Sequence, residues 1–233
     1  MTRIDEIGDR IYRVHTPVHE IPGGFSFNQI LVLDDEPLLF HTGGRRLFPA
    51  VRAAIEEVMP IDRLRWVGFS HVESDECGAL NDLLAVAPEA TAITGRIGAT
   101  ISLGDSADRP CRALADGESW STGARRFTWI DTPHLPHGWE CGFLFEATSR
   151  TLLCGDLFTQ PGAETPPITD GDILGPSEAF RAQLDYFSHT RHVRDEIEKL
   201  AALAPRTLAC MHGSAWTGDG AGMLRALGEA LAH

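Results

Sequence analysis

Four side chains able to hold a metal ion fall within six positions of one another: His71, Glu73, Asp75 and Glu76, in the stretch Phe69-Ser70-His71-Val72-Glu73-Ser74-Asp75-Glu76-Cys77-Gly78. They follow an apolar run, Leu64 to Phe69, that reads as a buried strand. The backbone can turn at a strand end, so His71 and Glu73 can face one metal while Asp75 and Glu76 face a second beside it. The alternative is a solvated acidic loop. It is the weaker reading, because three carboxylates and an imidazole between an apolar strand and an apolar helix repel one another unless cations neutralise them.

The elements that must position this loop can be read on either side of it. Ile11 to Val18 and Phe25 to Leu33 are rich in β-branched and aromatic residues, and Pro22-Gly23-Gly24 between them is turn chemistry, so they form paired strands. Leu38 to Phe40 is a short third strand ending in His41-Thr42-Gly43-Gly44. Leu47, Val51, Ala54, Ile55 and Val58 then recur at helical spacing until Met59-Pro60. After the acidic loop, Ala79 to Val86 reads as a helix and Thr91 to Thr94 as a strand. Arg126 to Ile130, Gly142 to Phe145 and Thr151 to Cys154 suggest an antiparallel meander. Residues 157–176, with Gln160-Pro161-Gly162 and Pro166-Pro167, read as an irregular exposed loop beside the site. Two helices, Glu178 to Phe187 and Thr190 to Leu203, precede a strand Thr207 to Met211 and a terminal helix Met223 to Leu231. Strand blocks interleaved with helices make a layered α/β sandwich the expected architecture.

Composition narrows the function classes. Acidic residues outnumber basic ones 33 to 20, a formal charge of -13, which disfavours nucleic acid and anionic membrane surfaces as partners. The N-terminal residues lack the apolar core of a signal peptide, and no apolar run is long enough to span a bilayer, so a cytoplasmic protein is expected. Five cysteines without CxxC spacing read as reduced thiols.

The stretch from His71 to Glu76 resembles the metallo-β-lactamase superfamily motif HxHxDH. It is closer still to the HxExDx form in the di-iron domains of flavodiiron proteins and oxygen-binding di-iron proteins. Further landmarks follow in the family's order: His137 in Thr132-Pro133-His134-Leu135-Pro136-His137-Gly138, Asp156 in Leu152-Leu153-Cys154-Gly155-Asp156, and His212 in Ala209-Cys210-Met211-His212-Gly213. His134 competes with His137, which is preferred because Trp139-Glu140-Cys141-Gly142-Phe143 aligns better from there. The resemblance implies a four-layered αββα sandwich over residues 1–233 as one domain. It also implies a metal set of His71, Glu73, Asp75, Glu76, His137, Asp156 and His212, with Asp156 bridging two metals.

Two positions depart from the family. Glu76 stands where histidine is usual, exchanging a nitrogen ligand for oxygen. His41 stands where an aspartate usually precedes Thr-Gly, which places outer hydrogen bonding in question; His41 either orients a ligand or packs. Four carboxylates in the implied set cancel two divalent cations, and hard oxygen ligands suit two iron ions, with manganese and zinc also compatible. Cys77, Cys154 and Cys210 flank implied ligands but read as small apolar core residues. Trp139 and Phe158 are evenly balanced between lining an apolar pocket over the metals and the core, whereas Tyr186 and Phe187 read as core. His15, His19, His189, His192 and His233 read as surface or structural.

The expected function is a di-iron protein that binds, senses or reduces dioxygen or nitric oxide. The related reductases carry a flavodoxin-like domain. With only residues 213–233 after His212 and no glycine-rich phosphate loop, a stand-alone protein is expected, or one fed by a separate electron donor; the family also allows a signalling partner or a homodimer. The alternative is a binuclear hydrolase using metal-bound hydroxide, against which Glu73 counts.

Overall fold

The computed structural model describes residues 1–232, so His233 lies outside the described residues. Among the described residues, fourteen strands form two seven-stranded sheets. The first holds β1 (Arg3–Gly8), β2 (Ile11–Val18), β3 (Phe25–Val32), β4 (Leu38–Phe40), β5 (Trp66–Gly68), β6 (Thr91–Gly95) and β7 (Arg112–Leu114) in sequence order. Its first four strands pair antiparallel through tight turns, and β4 through β7 pair parallel through crossovers. The second sheet contains β8 (Ser119–Ser121), β9 (Arg126–Asp131), β10 (Gly142–Glu146), β11 (Thr151–Leu153), β12 (Ile168–Thr169), β13 (Thr207–Ala209) and β14 (Ala215–Thr217). Its order is β12-β14-β13-β11-β10-β9-β8. The meander expected from residue 126 onward is β9-β10-β11, and β13 joins it in parallel beside β11.

Three apolar layers make this an αββα sandwich. Between the sheets, Ile30, Phe40 and Ile93 of the first pack with Phe127, Trp129, Leu144 and Leu153 of the second. The outer face of the first sheet buries Val67 and Phe69 against Val51 and Ile55 of helix Phe48–Glu56 and Leu83 of helix Leu80–Val86. The outer face of the second sheet buries Phe143, Leu152 and Leu208 against Ile197 and Leu200 of helix Val193–Ala201 and Leu224 and Leu227 of helix Gly220–Leu231. Each sheet is therefore buried on both faces, which explains the near-continuous apolar strands β4, β10 and β11. Among the described residues, no helix is long and apolar enough to cross a membrane.

Several boundaries differ from the sequence reading. The helix expected from Glu178 runs from Leu174 to Leu184, because Pro176 sits in its first turn, where the missing N–H costs nothing. It stops before Tyr186 because Asp185 turns left-handed. The terminal helix starts at Gly220, where the Asp219 side chain accepts from Gly222 N at 3.1 Å. The loop at 157–176 is less exposed than expected. Its first part, Leu157 to Gln160, is buried, with Gln160 Nε2 donating to the Ser214 carbonyl at 3.2 Å.

Leu144, fully buried between the sheets and flanked by Trp129 and Leu153 in register, tests this packing. Leu144→Ala is expected to lower unfolding free energy by about 2–5 kcal/mol, the range for a truncated core leucine. Urea denaturation followed by circular dichroism measures it; an unchanged midpoint would contradict the inter-sheet core.

Candidate metal centre

The chain leaves β4 at His41, β5 at Phe69, β11 at Cys154 and β13 at Cys210. Because these pairs run parallel, their carboxyl ends deliver four connecting loops to one edge of the sandwich. The β5 exit carries His71 and Glu73, and then winds into a helical turn, Ser74–Cys77, where the sequence suggested only loop. That turn directs Glu76 fully inward and leaves Asp75 half-buried. The β9–β10 connection supplies His137, the β11 exit Asp156 and the β13 exit His212.

Hydrogen bonds from backbone N–H groups hold these loops together. Thr42 N donates to the Glu76 carbonyl at 2.6 Å, Val72 N to Glu140 Oε1 at 3.0 Å, and Gly142 N to the Ser70 carbonyl at 2.9 Å. Gly155 adopts φ +47°, and a Cβ there would stand 2.8 Å from Ser70 Oγ, so the turn delivering Asp156 closes over the β5 exit only as glycine. On the other side, the buried Asn28 side chain donates to the Cys210 and Gly213 carbonyls at 3.1 and 2.8 Å and braces the His212 loop.

Donor atoms converge in two adjoining groups, His71, Glu73, His137 and Asp156 in one and Asp75, Glu76 and His212 in the other, each within 4.8 Å of its fellows. Asp156 lies between them. Its Oδ2 stands 3.6 Å from His71 Nε2 and 3.5 Å from His137 Nε2, while its Oδ1 is 3.2 Å from His212 Nε2. His71 Nε2 and His137 Nε2 approach to 2.8 Å. Every imidazole presents Nε2 inward because its Nδ1 is tied elsewhere: His137 to the Tyr186 carbonyl at 3.0 Å, His212 to the Ser26 carbonyl at 2.8 Å, and His71 to Ser70 Oγ at 3.0 Å. All seven residues singled out in the sequence thus meet at one place. His134 lies apart from it, beside Leu135 and His189.

The electrostatics of these groups suit cations. Both Glu76 oxygens are buried without a hydrogen bond, and so is Asp156 Oδ1, since His212 Nε2 lies close to it but off the hydrogen-bond direction. Orphaned buried carboxylate oxygens are costly, and a metal ion would satisfy them. Burial, with the negative charges of Asp156 and Asp75 adding to it, pushes the Glu76 carboxyl well above its ordinary range. Burial acts the same way on Asp156 but is outweighed by His212, His71 and His137, which hold it below the usual range. Hydrogen bonding to His137 and His71 brings Glu73 down to about 2. His137 and His212 are raised, the cost of burial being exceeded by Glu73 for the first and Asp156 for the second. His41, by contrast, is lowered to about 3 by burial.

A cavity of about 550 Å³ opens over the donors, with Glu73, Asp75, His137, Asp156 and His212 in its floor. Its apolar walls are Ile21, Phe25, Phe180, Leu184 and Tyr186. Of the two aromatics evenly balanced between this role and the core, Trp139 is on the surface, 54% exposed, and Phe158 is core. Tyr186 lines the cavity, whereas Phe187 packs in the core as expected. Phe25 and Phe180 were missed. Their rings stack at 5.6 Å, but one ends a glycine turn and the other sits mid-helix, so no local spacing links them. Cys154 and Cys210 are buried, their sulfurs 3.8 Å apart, and Cys77 is half-buried. His15 is buried and structural, bonded to Asn28 and to the Ala163 carbonyl, while His19, His189 and His192 are exposed.

The fold thus gathers its candidate donors from the ends of four strands, β5, β9, β11 and β13. A family profile described as "ODP family beta lactamase" matches residues 25–213, and the chain belongs to that family. Among curated proteins, it is similar to a nitric oxide reductase of Moorella thermoacetica, 26% identical over 88% of this chain and 53% of the relative. It is also similar to a rubredoxin-oxygen oxidoreductase of Megalodesulfovibrio gigas, 26% identical over 80% of this chain and 44% of that protein. The chain thus spans about half the length of these relatives. The flavodiiron protein from Giardia intestinalis shares the fold at a TM-score of 0.85 and 17% identity, over 99% of this chain and 59% of that one.

The raised groups make a prediction about cation binding. Glu76, His137 and His212 hold protons to higher pH than their ordinary values, yet each must be deprotonated to bind a metal. Zinc binding to the metal-free chain should therefore release protons, and its affinity should fall as pH is lowered. Calorimetry in two buffers of different ionisation enthalpy reads the proton count; a heat independent of buffer would count against this assignment of charge.

Proposed function

We propose that the chain is a binuclear iron protein, folded as one metallo-β-lactamase-like domain, that binds dioxygen or nitric oxide at the floor of its apolar cavity. The observation that carries this reading is the convergence of three imidazole Nε2 atoms and four carboxylates into two sets joined by Asp156. His71, Glu73 and His137 would hold one ion and Asp75, Glu76 and His212 the other, with Asp156 between them. Four carboxylates balance two divalent cations, and an oxygen-rich set suits iron. Iron, when bound, supplies the electrons with which a diatomic ligand is held or reduced.

The chain's own residues do the rest. Ser70, Tyr186 and Ser26 fix the three imidazoles through Nδ1. Phe25, Phe180 and Tyr186 give the cavity apolar walls, favourable to a small non-polar molecule. Two relatives are named for action on nitric oxide and oxygen, and both are oxidoreductases, which favours redox chemistry over the hydrolase alternative. Sustained reduction would draw on an electron donor such as the rubredoxin in one relative's name, approaching the open rim where Ile21 and Leu184 are 40% and 61% exposed.

Protein purified from iron-replete cells is expected to contain two iron ions per chain by elemental analysis, and Glu76→Ala to retain about one. Stoichiometric zinc with negligible iron would overturn the metal assignment, and a Glu76→Ala variant with both ions would show Glu76 to be a neighbour only. After anaerobic reduction, admitting oxygen should produce a new absorption band with little continuing oxygen consumption in the presence of NADH alone. Continuous consumption under those conditions would contradict a binding role.

A further inference from the structure

His41 follows β4 directly and lies outside the converging donors, yet it is aimed at them. It is 1% exposed, and its Nε2 lies 3.1 Å from Ser70 Oγ, the same oxygen that lies 3.0 Å from His71 Nδ1. Ser70 and His71 are buried as fully as His41. We propose that His41, acting through the Ser70 hydroxyl, is the positioning residue that determines which nitrogen of His71 is free to bind metal. The inference rests on the metal centre proposed above.

A serine hydroxyl has one hydrogen, and when that hydrogen lies within the chain His41–Ser70–His71, the only partners found for the Ser70 hydroxyl, the chain runs in one of two senses. In one, His71 Nδ1–H donates to Ser70, Ser70 donates to His41 Nε2, and His71 Nε2 keeps its lone pair. In the other, His41 Nε2–H donates to Ser70, Ser70 donates to His71 Nδ1, and the hydrogen of His71 sits on Nε2. Nε2 is the nitrogen that faces the cluster, 2.8 Å from His137 Nε2 and 3.6 Å from Asp156 Oδ2. Only the first sense lets it ligate.

The first sense needs an acceptor beyond Ser70, and neutral His41 is that acceptor. With an apolar residue at 41, the Ser70 hydrogen would turn to His71 Nδ1, its remaining partner, and stabilise the wrong tautomer. The surroundings leave Ser70 little freedom to find another, since the Gly155 turn closes against its Oγ and Gly142 N binds its carbonyl. His41 itself is held at some cost. Its backbone is left-handed at φ +68°, anchored by His41 N donating to the Gly68 carbonyl at 2.7 Å, and its Nδ1 is buried without a partner.

The test uses zinc and cobalt(II) as probe metals, so that it does not depend on iron or oxygen chemistry. The wild-type chain, His41→Leu and His41→Gln are titrated against a chromophoric chelator, and long-range ¹⁵N–¹H correlation of the zinc-loaded wild type reads the His71 tautomer. We expect the His71 hydrogen on Nδ1 and zinc on Nε2. His41→Leu should bind one of its two ions about 10–100-fold more weakly, with a thermal midpoint in the metal-free form close to wild type. His41→Gln, whose Oε1 can accept from Ser70 where Nε2 did, should recover most of the loss. Wild-type affinity in His41→Leu, or a zinc-loaded wild type with His71 bound through Nδ1, would overturn the relay while leaving the metal centre standing. Failure of the wild type to bind either ion would overturn both. Should His41→Leu not fold, Ser70→Ala, which removes the relaying oxygen, takes its place: one ion bound more weakly supports the relay, and wild-type affinity overturns it.

Discussion

Four carboxylates gathered at a mostly buried point, with three imidazoles to offset them, are the constraint on which the rest of this structure depends. Two like charges about 4 Å apart repel by roughly 4 kcal/mol even at an effective dielectric of about 20. The chain's own groups answer this locally. Glu76 is pushed toward its neutral form, Asp156 and Glu73 are held ionised by the imidazoles, and His137 and His212 are pushed toward their charged forms. What they leave unanswered are the orphaned oxygens of Glu76 and Asp156, and these are what cations would complete.

Such a cluster tolerates little movement, which accounts for the stiffness around it. Two sheets, each covered by helices and sharing a dry layer between them, bring parallel strand ends to one edge. The loops leaving those ends are then bonded to one another rather than to solvent, through Thr42, Val72, Gly142 and Asn28. The imidazoles are fixed from behind by groups from four different segments: Ser70 with His41 beyond it, Ser26 from β3, and the carbonyl of Tyr186 beyond the helix Leu174–Leu184. The same Tyr186 turns its ring to the cavity, so one residue both orients His137 and walls the space above it.

The cavity differs in character from its floor. Aromatic and aliphatic side chains from β3 and the helix Leu174–Leu184 stand over acidic and imidazole groups, so apolar walls lead to polar donors that stay reachable. It is open at the rim, where Ile21 and Leu184 are the exposed apolar residues.

The sequence alone determined which donors exist and the order in which the strands present them. His71, Glu73, Asp75 and Glu76 were legible because they follow one strand at short spacing, and His137, Asp156 and His212 because each lies beside a strand end in the order of a known motif. The layered α/β architecture was legible for a related reason: apolar periodicity is a local property, read a few residues at a time. Tertiary structure decided what depends on distance across the chain. It placed Asp156 between two groups, made Glu76 the inward and Asp75 the half-exposed neighbour through an unforeseen helical turn, and removed Trp139 and Phe158 from the cavity in favour of Phe25 and Phe180. It also gave His41 a partner 29 positions away. Side-chain direction at a strand exit is set by whichever loop packs against it, and that loop arrives from elsewhere in the sequence, so no local pattern carries the information.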